Sequence, residues 1–388
     1  MRILVIAPTP FFSDRGGHVR ILEELKAVKA LGHKSVVFTY HLGNDVPGFE
    51  VRRTLRIPWY TKREAGPSYH KLYLDILLFW KVLIALWRED WDLIHAHLHE
   101  GAFIAGIARM LRFRKIPILF DYQGSLVKEM QDHRYLVADV SKWFFSKIER
   151  MANGFADLII TSSTNAAQLL WRDFAEPHSR VRPLIDAIDT TKFHAKINSS
   201  QIYRELRLPK DKKIIVYLGV LSEYQGVGLM LEAFEIVARR YSKVHFLIMG
   251  YPNVEQYQRL AEKLGIRDFC TFTGRVDYAL APQYVKCGDI AVSFKASETE
   301  ANGKIYNYMA LGLPCVVSDT AVNREILDEL GIYCPQNAAA MAEQLIILLH
   351  EPEHARALGK KCAEKIRKEH SWQARGKQLE EIYRELRK

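Results

Sequence analysis

Residues 297–320, SETEANGKIYNYMALGLPCVVSDT, decide the fold. The acidic residues Glu298 and Glu300 precede Asn302-Gly303. Lys304, a short amphipathic run from Ile305, a Gly-Leu-Pro stop at 312–314 and the apolar PCVVSD follow. That order reads as turn, helix, stop, strand. A helix opening at Gly303 leaves its first amides without intrahelical partners, so residues 303–305 suit an anion, and Lys304 adds a point charge.

Outward from this stretch the same punctuation recurs. Apolar runs RILVIAP (2–8), KSVVFTY (34–40), DLIHAH (92–97), PILFDY (117–122) and DLIITSS (157–163) alternate with helical patterns such as HVRILEELKAVKALGH (18–33). A second series holds KIIVYLG (213–219), VHFLIMG (244–250), CTFTG (270–274), IAVSF (290–294) and PCVVSD (314–319). Strands alternating with helices predict parallel, doubly wound sheets. Between the series, residues 183–213 are polar and read as a linker. The chain therefore divides into an N-terminal Rossmann-like domain over 1–190, a C-terminal one over 191–370, and an amphipathic final helix over 371–388.

Length supports the division, since 388 residues exceed one ordinary core. An apolar fraction of 48% and a charged fraction of 26% describe a globular protein. Cys270, Cys287, Cys315, Cys334 and Cys362 show neither close pairing nor metal-ligand spacing, and read as reduced, buried thiols in a cytoplasmic protein. MRILVIAP enters a strand directly, so no signal peptide is expected, and Leu72 to Trp87 is too short to span a bilayer.

The net charge of +10 lies mostly in residues 1–200, with clusters at Arg52, Arg53, Arg56, Lys62, Arg63, Lys71 and at Arg109, Arg112, Arg114, Lys115. Such an excess suits phosphate-bearing partners or an anionic membrane surface. No nucleic-acid-binding pattern accompanies it. Peripheral membrane contact through 52–71 and 109–115 fits the basic and aromatic composition. Residues 54–87, basic and aromatic, read either as a helix docking on a membrane interface or as a buried helix over 72–87, with the loop 56–71 as the better membrane candidate.

Four strand-loop-helix units carry the candidate chemistry. Gly16-Gly17 follows the first strand, Gly219 to Gly226 follows another with Val220 and Gln225 inside the loop, and TGRV brings Arg275 and Val276. Residues 298–307 make the fourth, and Gly250 ends a neighbouring strand. None gives the G-x-G-x-x-G spacing of a dinucleotide-dependent oxidoreductase. His95, His97 and His99 alternate and would share one strand face, as metal ligands or as cleft and core residues. Asp186 and Asp189 lack metal-motif spacing and suit caps at the start of the second domain.

In this order the loops resemble those of the family 4 glycosyltransferases. "DLIHAH", "FADLIITSS", "IDAIDTTKF", "YLGVLSEYQGVGLMLEAF", "FTGRV", "NGKIYNYMALGLPCVVSD" and the closing "SWQARGKQLEEIYREL" match the family's segments along essentially the whole chain. The resemblance implies an α/β fold of the GT-B type, two Rossmann-like domains with parallel sheets facing across a cleft, and a last helix returning to the N-terminal domain. It implies a retaining hexosyltransferase (EC 2.4) that moves a sugar from a nucleotide diphosphate to a hydroxyl on a glycan or lipid-linked acceptor. It also implies no metal and no cofactor, with a UDP- or GDP-linked sugar as co-substrate.

Site residues carry over one by one. Glu300, Gln123, Asp121 and His97 are the candidates for catalysis. Glu300 would orient donor-sugar hydroxyls, and Asp121 would serve as general base if one is needed. Gly16, Gly17, Gly219, Val220, Gln225, Gly226, Gly250, Arg275, Val276, Glu298, Asn302, Gly303, Lys304, Ile305 and Asn307 are the candidates for holding the donor.

Four departures fall on that chemistry. Val220 and Gln225 stand where the family has an Arg and a Lys, Asn307 replaces a ribose-binding Glu, and Gln123 replaces a His. Thr299 takes the place of the other glutamate, between Glu298 and Glu300. Losing two cations from a diphosphate site asks for compensation, and Lys304, Arg275 and Arg15 are available. Gln123 can donate from its amide but cannot exchange protons. The alternatives are a non-catalytic or re-purposed relative, or a nucleotide-sugar epimerase or hydrolase.

Overall fold

The structure is a computed structural model that describes residues 1–13, 16–60, 70–113, 115–132, 139–295 and 297–388. Arg15, Lys62, Arg63, Arg114 and most of the 56–71 loop lie outside the described residues. The chain forms two compact units. One comprises Met1–Asp186, Thr299–Ala301 and Trp372–Lys388; the other comprises Ala187–Glu298 and Asn302–Ser371.

In the first unit the order is β1 (Arg2–Ala7), α1 (Gly16–Ala30), β2 (Lys34–Thr39), β3 (Glu50–Arg53), α2 (His70–Arg88), β4 (Leu93–His97) and α3 (Leu98–Arg112). There follow β5 (Ile118–Tyr122), α4 (Leu126–Asp132), α5 (Asp139–Phe155), β6 (Leu158–Thr161), α6 (Thr164–Asp173) and β7 (Val181–Pro183). The seven strands are all parallel in the order β3-β2-β1-β4-β5-β6-β7. The inner strands are apolar almost throughout, as both faces of a doubly wound sheet are covered: β1, β4 and β5 are buried nearly end to end.

The second unit begins with α7 (Ser200–Glu205), β8 (Lys213–Leu218), α8 (Val227–Arg240), β9 (Val244–Met249), α9 (Val254–Lys263), β10 (Cys270–Gly274) and α10 (Ala281–Val285). It continues through β11 (Ile290–Ser293), α11 (Gly303–Ala310), β12 (Cys315–Ser318), α12 (Ala321–Leu327), β13 (Ile332–Cys334), α13 (Ala338–His350) and α14 (Pro352–Glu369). Its parallel sheet runs β10-β9-β8-β11-β12-β13. The last helix, α15 (Trp372–Leu386), packs on α1 in the first unit, where a Cβ on Gly376 would come 2.8 Å from that of Ala27.

Both strand orders reverse direction once, between β1 and β4 in the first sheet and between β8 and β11 in the second. Ligands of doubly wound sheets sit outside the strand C-termini at such points. Gly16-Gly17 and His97 follow one switch, and Gly219 and Lys304 follow the other. The five cysteines are free and buried. Among the described residues no helix is long and apolar enough to cross a membrane.

Candidate active site

The first unit's switch point is built on a buried ion cluster. Arg20, on the inward face of α1, grips Asp121 at the end of β5 with Nε at 3.1 Å and 3.2 Å from the two carboxylate oxygens, and Nη2 at 2.9 Å. Its Nη1 donates to the Leu184 carbonyl at 3.0 Å and to Asp186. His97 Nδ1 lies 2.9 Å from Asp121 Oδ2, and Gln123 Nε2 donates to the same oxygen at 2.8 Å. Burial alone would push the Asp121 carboxyl up, but the Arg20 guanidinium and the His97 ring outweigh it and hold the group well below the usual carboxylate range.

This corrects the role expected of Asp121. A fully buried carboxylate held by a guanidinium, an imidazole and an amide is an anchor, not a general base. Asp186 is likewise part of this cluster rather than a cap of the second unit. Asp189 does cap a turn, accepting from the Thr191 amide at 3.0 Å.

The cluster aims Gln123. Its amide nitrogen is engaged with Asp121, and its carbonyl faces Gly17, where a Cβ would come 2.7 Å from Oε1. Gln123 therefore presents an acceptor, not the donor expected from sequence. Gly124 lies against Glu300, whose Cβ would be 3.4 Å from a Cβ added there. Thr299 is pinned beside it: its carbonyl accepts from Ser163 Oγ at 2.9 Å, and its hydroxyl oxygen lies 3.4 Å from the Ser125 amide. Residues 299–301 thus belong with the first unit, and Gly17, His97, Gln123, Gly124 and Glu300 come together.

The three alternating histidines do not share one strand. His95 and His97 lie on β4 with ring centroids 4.3 Å apart, but Leu98 takes φ 62° and starts α3, which carries His99 away. Glu24 joins the pair, so that Glu24, His95 and His97 offer ligand atoms within 4.8 Å of one another. As a cation site the trio is poorly suited, since the Arg20 guanidinium already sits on Glu24, its Nε 3.1 Å from Oε1; the histidine Nδ1 atoms are held by Asp121 and, at 2.9 Å, by Tyr383. Burial, with the Asp121 and Asp186 charges, raises the Glu24 carboxyl well above its ordinary value against the pull of Arg20.

In the second unit, β8 ends at Leu218, Gly219 follows, and the chain turns through Glu223–Gln225 into α8. Gly226 takes φ 69°, and a Cβ there would come 2.7 Å from that of Phe294, so glycine is required on both counts. Gly250 follows β9 against Gly219: a Cβ would fall 1.8 Å from the Gly219 carbonyl oxygen. Its amide donates to Gly274 at 2.9 Å, which links the ends of β8, β9 and β10. Beyond β10, exposed Arg275 stacks over Tyr251 at 5.8 Å, and Val276 follows half-buried.

Lys304 crosses this loop. Its ammonium bonds Gln225 Oε1 and sits 5.0 Å from the Tyr217 ring centroid, and a Cβ on Gly219 would lie 2.9 Å from its Cε. The neighbouring backbone is held by Tyr217, whose hydroxyl donates to the Val220 carbonyl at 2.8 Å. Asn307, three residues along α11, shares the Lys304 face and is half-buried.

Three donor-site expectations change. Asn302 turns inward, its Nδ2 donating to Ser293 Oγ and Asn323 Oδ1 at 3.0 Å each, so it ties the loop to the sheet. The Ile305 amide is engaged by the Asn302 carbonyl at 2.9 Å, and the side chain is core. Glu298 caps α12, accepting from the Ala321 amide at 3.0 Å.

Sequence reasoning missed Arg20, which reads as one more surface charge of an amphipathic helix. It also missed Lys295, 4% exposed just past β11 with its ammonium 5.7 Å from the Tyr224 ring centroid. A lysine following the strand IAVS was the available signal.

With these loops in place, comparison with known proteins decides the family. The profile described as "Glycosyl transferase 4-like domain" matches residues 15–184, and that described as "Glycosyl transferases group 1" matches 198–365. The chain belongs to the family 4-like glycosyltransferases. Its fold is GT-B, built from two Rossmann-like parallel-sheet domains. It is 27% identical over 352 residues to the alpha-D-kanosaminyltransferase of Streptomyces kanamyceticus, covering 82% of this chain and 86% of that one. Among solved structures it matches sucrose-phosphate synthase from Thermosynechococcus elongatus (TM-score 0.83, 18% identity, 99% and 98% of the two chains). It also matches Anabaena HepE in complex with UDP and glucose (TM-score 0.80, 15% identity, 98% and 99%).

Proposed function

We propose that this glycosyltransferase moves a hexosyl group from a UDP- or GDP-linked donor to a hydroxyl of a glycan or lipid-linked acceptor, with retention of configuration and without a metal or cofactor. The observation that carries the reading is the Lys304 ammonium, held across Gly219 and on Gln225 at the end of the switch-point strand. That is where a diphosphate would lie in a doubly wound sheet. HepE, which shares the fold, binds UDP.

In this reading Lys304 replaces the charges lost at Val220 and Gln225, Asn307 bonds the ribose, and Arg275-Val276 meets the base. Glu300 orients the donor-sugar hydroxyls, while Gln123 and His97 address the acceptor. As the bond from the anomeric carbon to the diphosphate oxygen breaks, charge grows on the diphosphate and Lys304 stabilises it. With Asp121 locked by Arg20, the departing diphosphate oxygen takes the acceptor's proton. It does so on the face it leaves, so the new bond keeps the old configuration.

A thermal-shift screen with UDP, GDP and ADP tests the reading. A ligand at a hundred times its Kd stabilises by about 2.7 kcal/mol, which moves Tm by several degrees. UDP or GDP is expected to do so; no response to any of the three would overturn the proposal.

A further inference from the structure

The second helix, α2, is apolar on two sides. Leu74, Leu78, Val82, Leu83 and Leu86 face the sheet core. Leu72, Ile76, Trp80, Ile84 and Trp87, at helical spacing on the opposite side, are exposed, Trp80 by 55% and Trp87 by 61%. A helix face that only covered a core would carry polar residues there. Helix α3 packs between α2 and α5 and continues the surface with Met110, Leu111 and the 90%-exposed Phe113, and α5 adds Trp143 and Phe144. Among the described residues, every large exposed apolar side chain except Leu280 and Ile347 falls between Leu55 and Met151. Concentration of this kind marks an interaction surface.

The charge around it selects the partner. Between residues 55 and 151 the exposed described cations are Arg56, Arg88, Lys115, Lys128, Lys147 and Arg150, against exposed Asp90 and Glu129. A stripe of tryptophan and aliphatic side chains, in a segment whose exposed cations outnumber its exposed anions, complements an anionic lipid interface, where indoles sit at headgroup level and Lys and Arg meet phosphates. We infer that the α2–α3–α5 face of the first unit docks on an anionic membrane surface, with the outward stripe of α2 as its apolar contact. Of the two readings of residues 72–87, it takes the interfacial one over the buried one. It does not depend on which sugar is transferred.

The test is co-sedimentation of the full chain with vesicles of phosphatidylcholine alone and of phosphatidylcholine with phosphatidylglycerol. The double variant Trp80→Glu/Trp87→Glu is compared with Leu280→Glu/Ile347→Glu in the second unit, with Tm confirming that each folds. Wild type should bind the anionic vesicles, more weakly as salt rises. The α2 variant should partition at least about tenfold less, and the control variant like wild type. Absence of wild-type binding to anionic vesicles, or equal binding by the α2 variant, would overturn the inference. So would a wild-type dimer that binds no vesicles and that the α2 substitutions dissociate, since the face would then join two copies of the chain.

Discussion

Lys304→Ala isolates the cation on which donor binding is argued to rest. In the free protein the ammonium is held by a neutral amide, Gln225 Oε1, and by the Tyr217 ring at 5.0 Å. Exchanging that amide for a phosphate oxygen replaces a neutral partner by a charged one. At about 4 Å and an effective dielectric near 20 the Coulomb term is about 4 kcal/mol. Desolvation and loss of the Gln225 bond reduce the net to the roughly 1.5–3 kcal/mol of a charge-assisted hydrogen bond. Lys304→Ala should therefore weaken the nucleoside diphosphate by roughly 10- to 150-fold. Gln225→Ala removes a neutral competitor for the ammonium, so affinity should stay within about threefold or rise. Calorimetric titration with whichever of UDP or GDP stabilises the wild type, at two salt concentrations, reads both effects. Equal losses in the two variants, or a Lys304→Ala protein that binds like wild type, would refute the assignment of Lys304.

Other consequences are as direct. Arg20→Met strands Asp121 and Asp186 without their cation and should cost about 3–5 kcal/mol in urea denaturation, part of it recovered by adding Asp121→Asn; a loss under about 1 kcal/mol would contradict the anchor role. Glu300→Gln should cut transfer kcat/KM by roughly 10- to 100-fold while leaving diphosphate affinity unchanged, and a parallel loss of diphosphate binding would misplace that residue. Burial first, then the Glu100 charge, pushes Asp75 up to about 7 against its bond from Tyr40 and its attraction to Lys71. A raised carboxyl keeps its proton better folded than unfolded, so its stabilisation is full below about pH 4 and is lost as pH climbs through 7. Asp75→Asn should then raise Tm more at pH 8 than at pH 5, and the opposite order would refute the shift.

The long strands were legible because burial on both faces makes them continuous apolar runs. RILVIAP became β1 and PILFDY became β5 with ends moved by one residue. The edge strands were not: EVRR is polar, VRP carries a proline, and IYC is three residues long, so β3, β7 and β13 carry no periodic signal. The glycine loops announced the site. The sequence could not show which polar residues were already satisfied, because that depends on partners far along the chain. Asp121 meets Arg20 a hundred and one positions away, and Asn302 spends its amide on Asn323. In sequence Asp121 read as a candidate base and Asn302 as a donor ligand; in the structure both are braces.

The brace at Asp121 also fixes what the first unit can offer a ligand. Since Arg20 keeps that carboxylate ionised, Asp121 can only accept hydrogen bonds, and its neighbours must donate to it. His97 must therefore carry a proton on Nδ1. Gln123 must turn its NH2 inward, which leaves Oε1 facing Gly17. A histidine at position 123 could gain or lose a proton, whereas an amide oriented by a permanent anion keeps one polarity. The Gln123 carbonyl so presented is an acceptor, and its complement is a hydroxyl donating its proton. The replacement of histidine by Gln123 is then no sign of a decayed site. It substitutes a fixed acceptor for a titratable one, and Arg20, acting through Asp121, sets its direction.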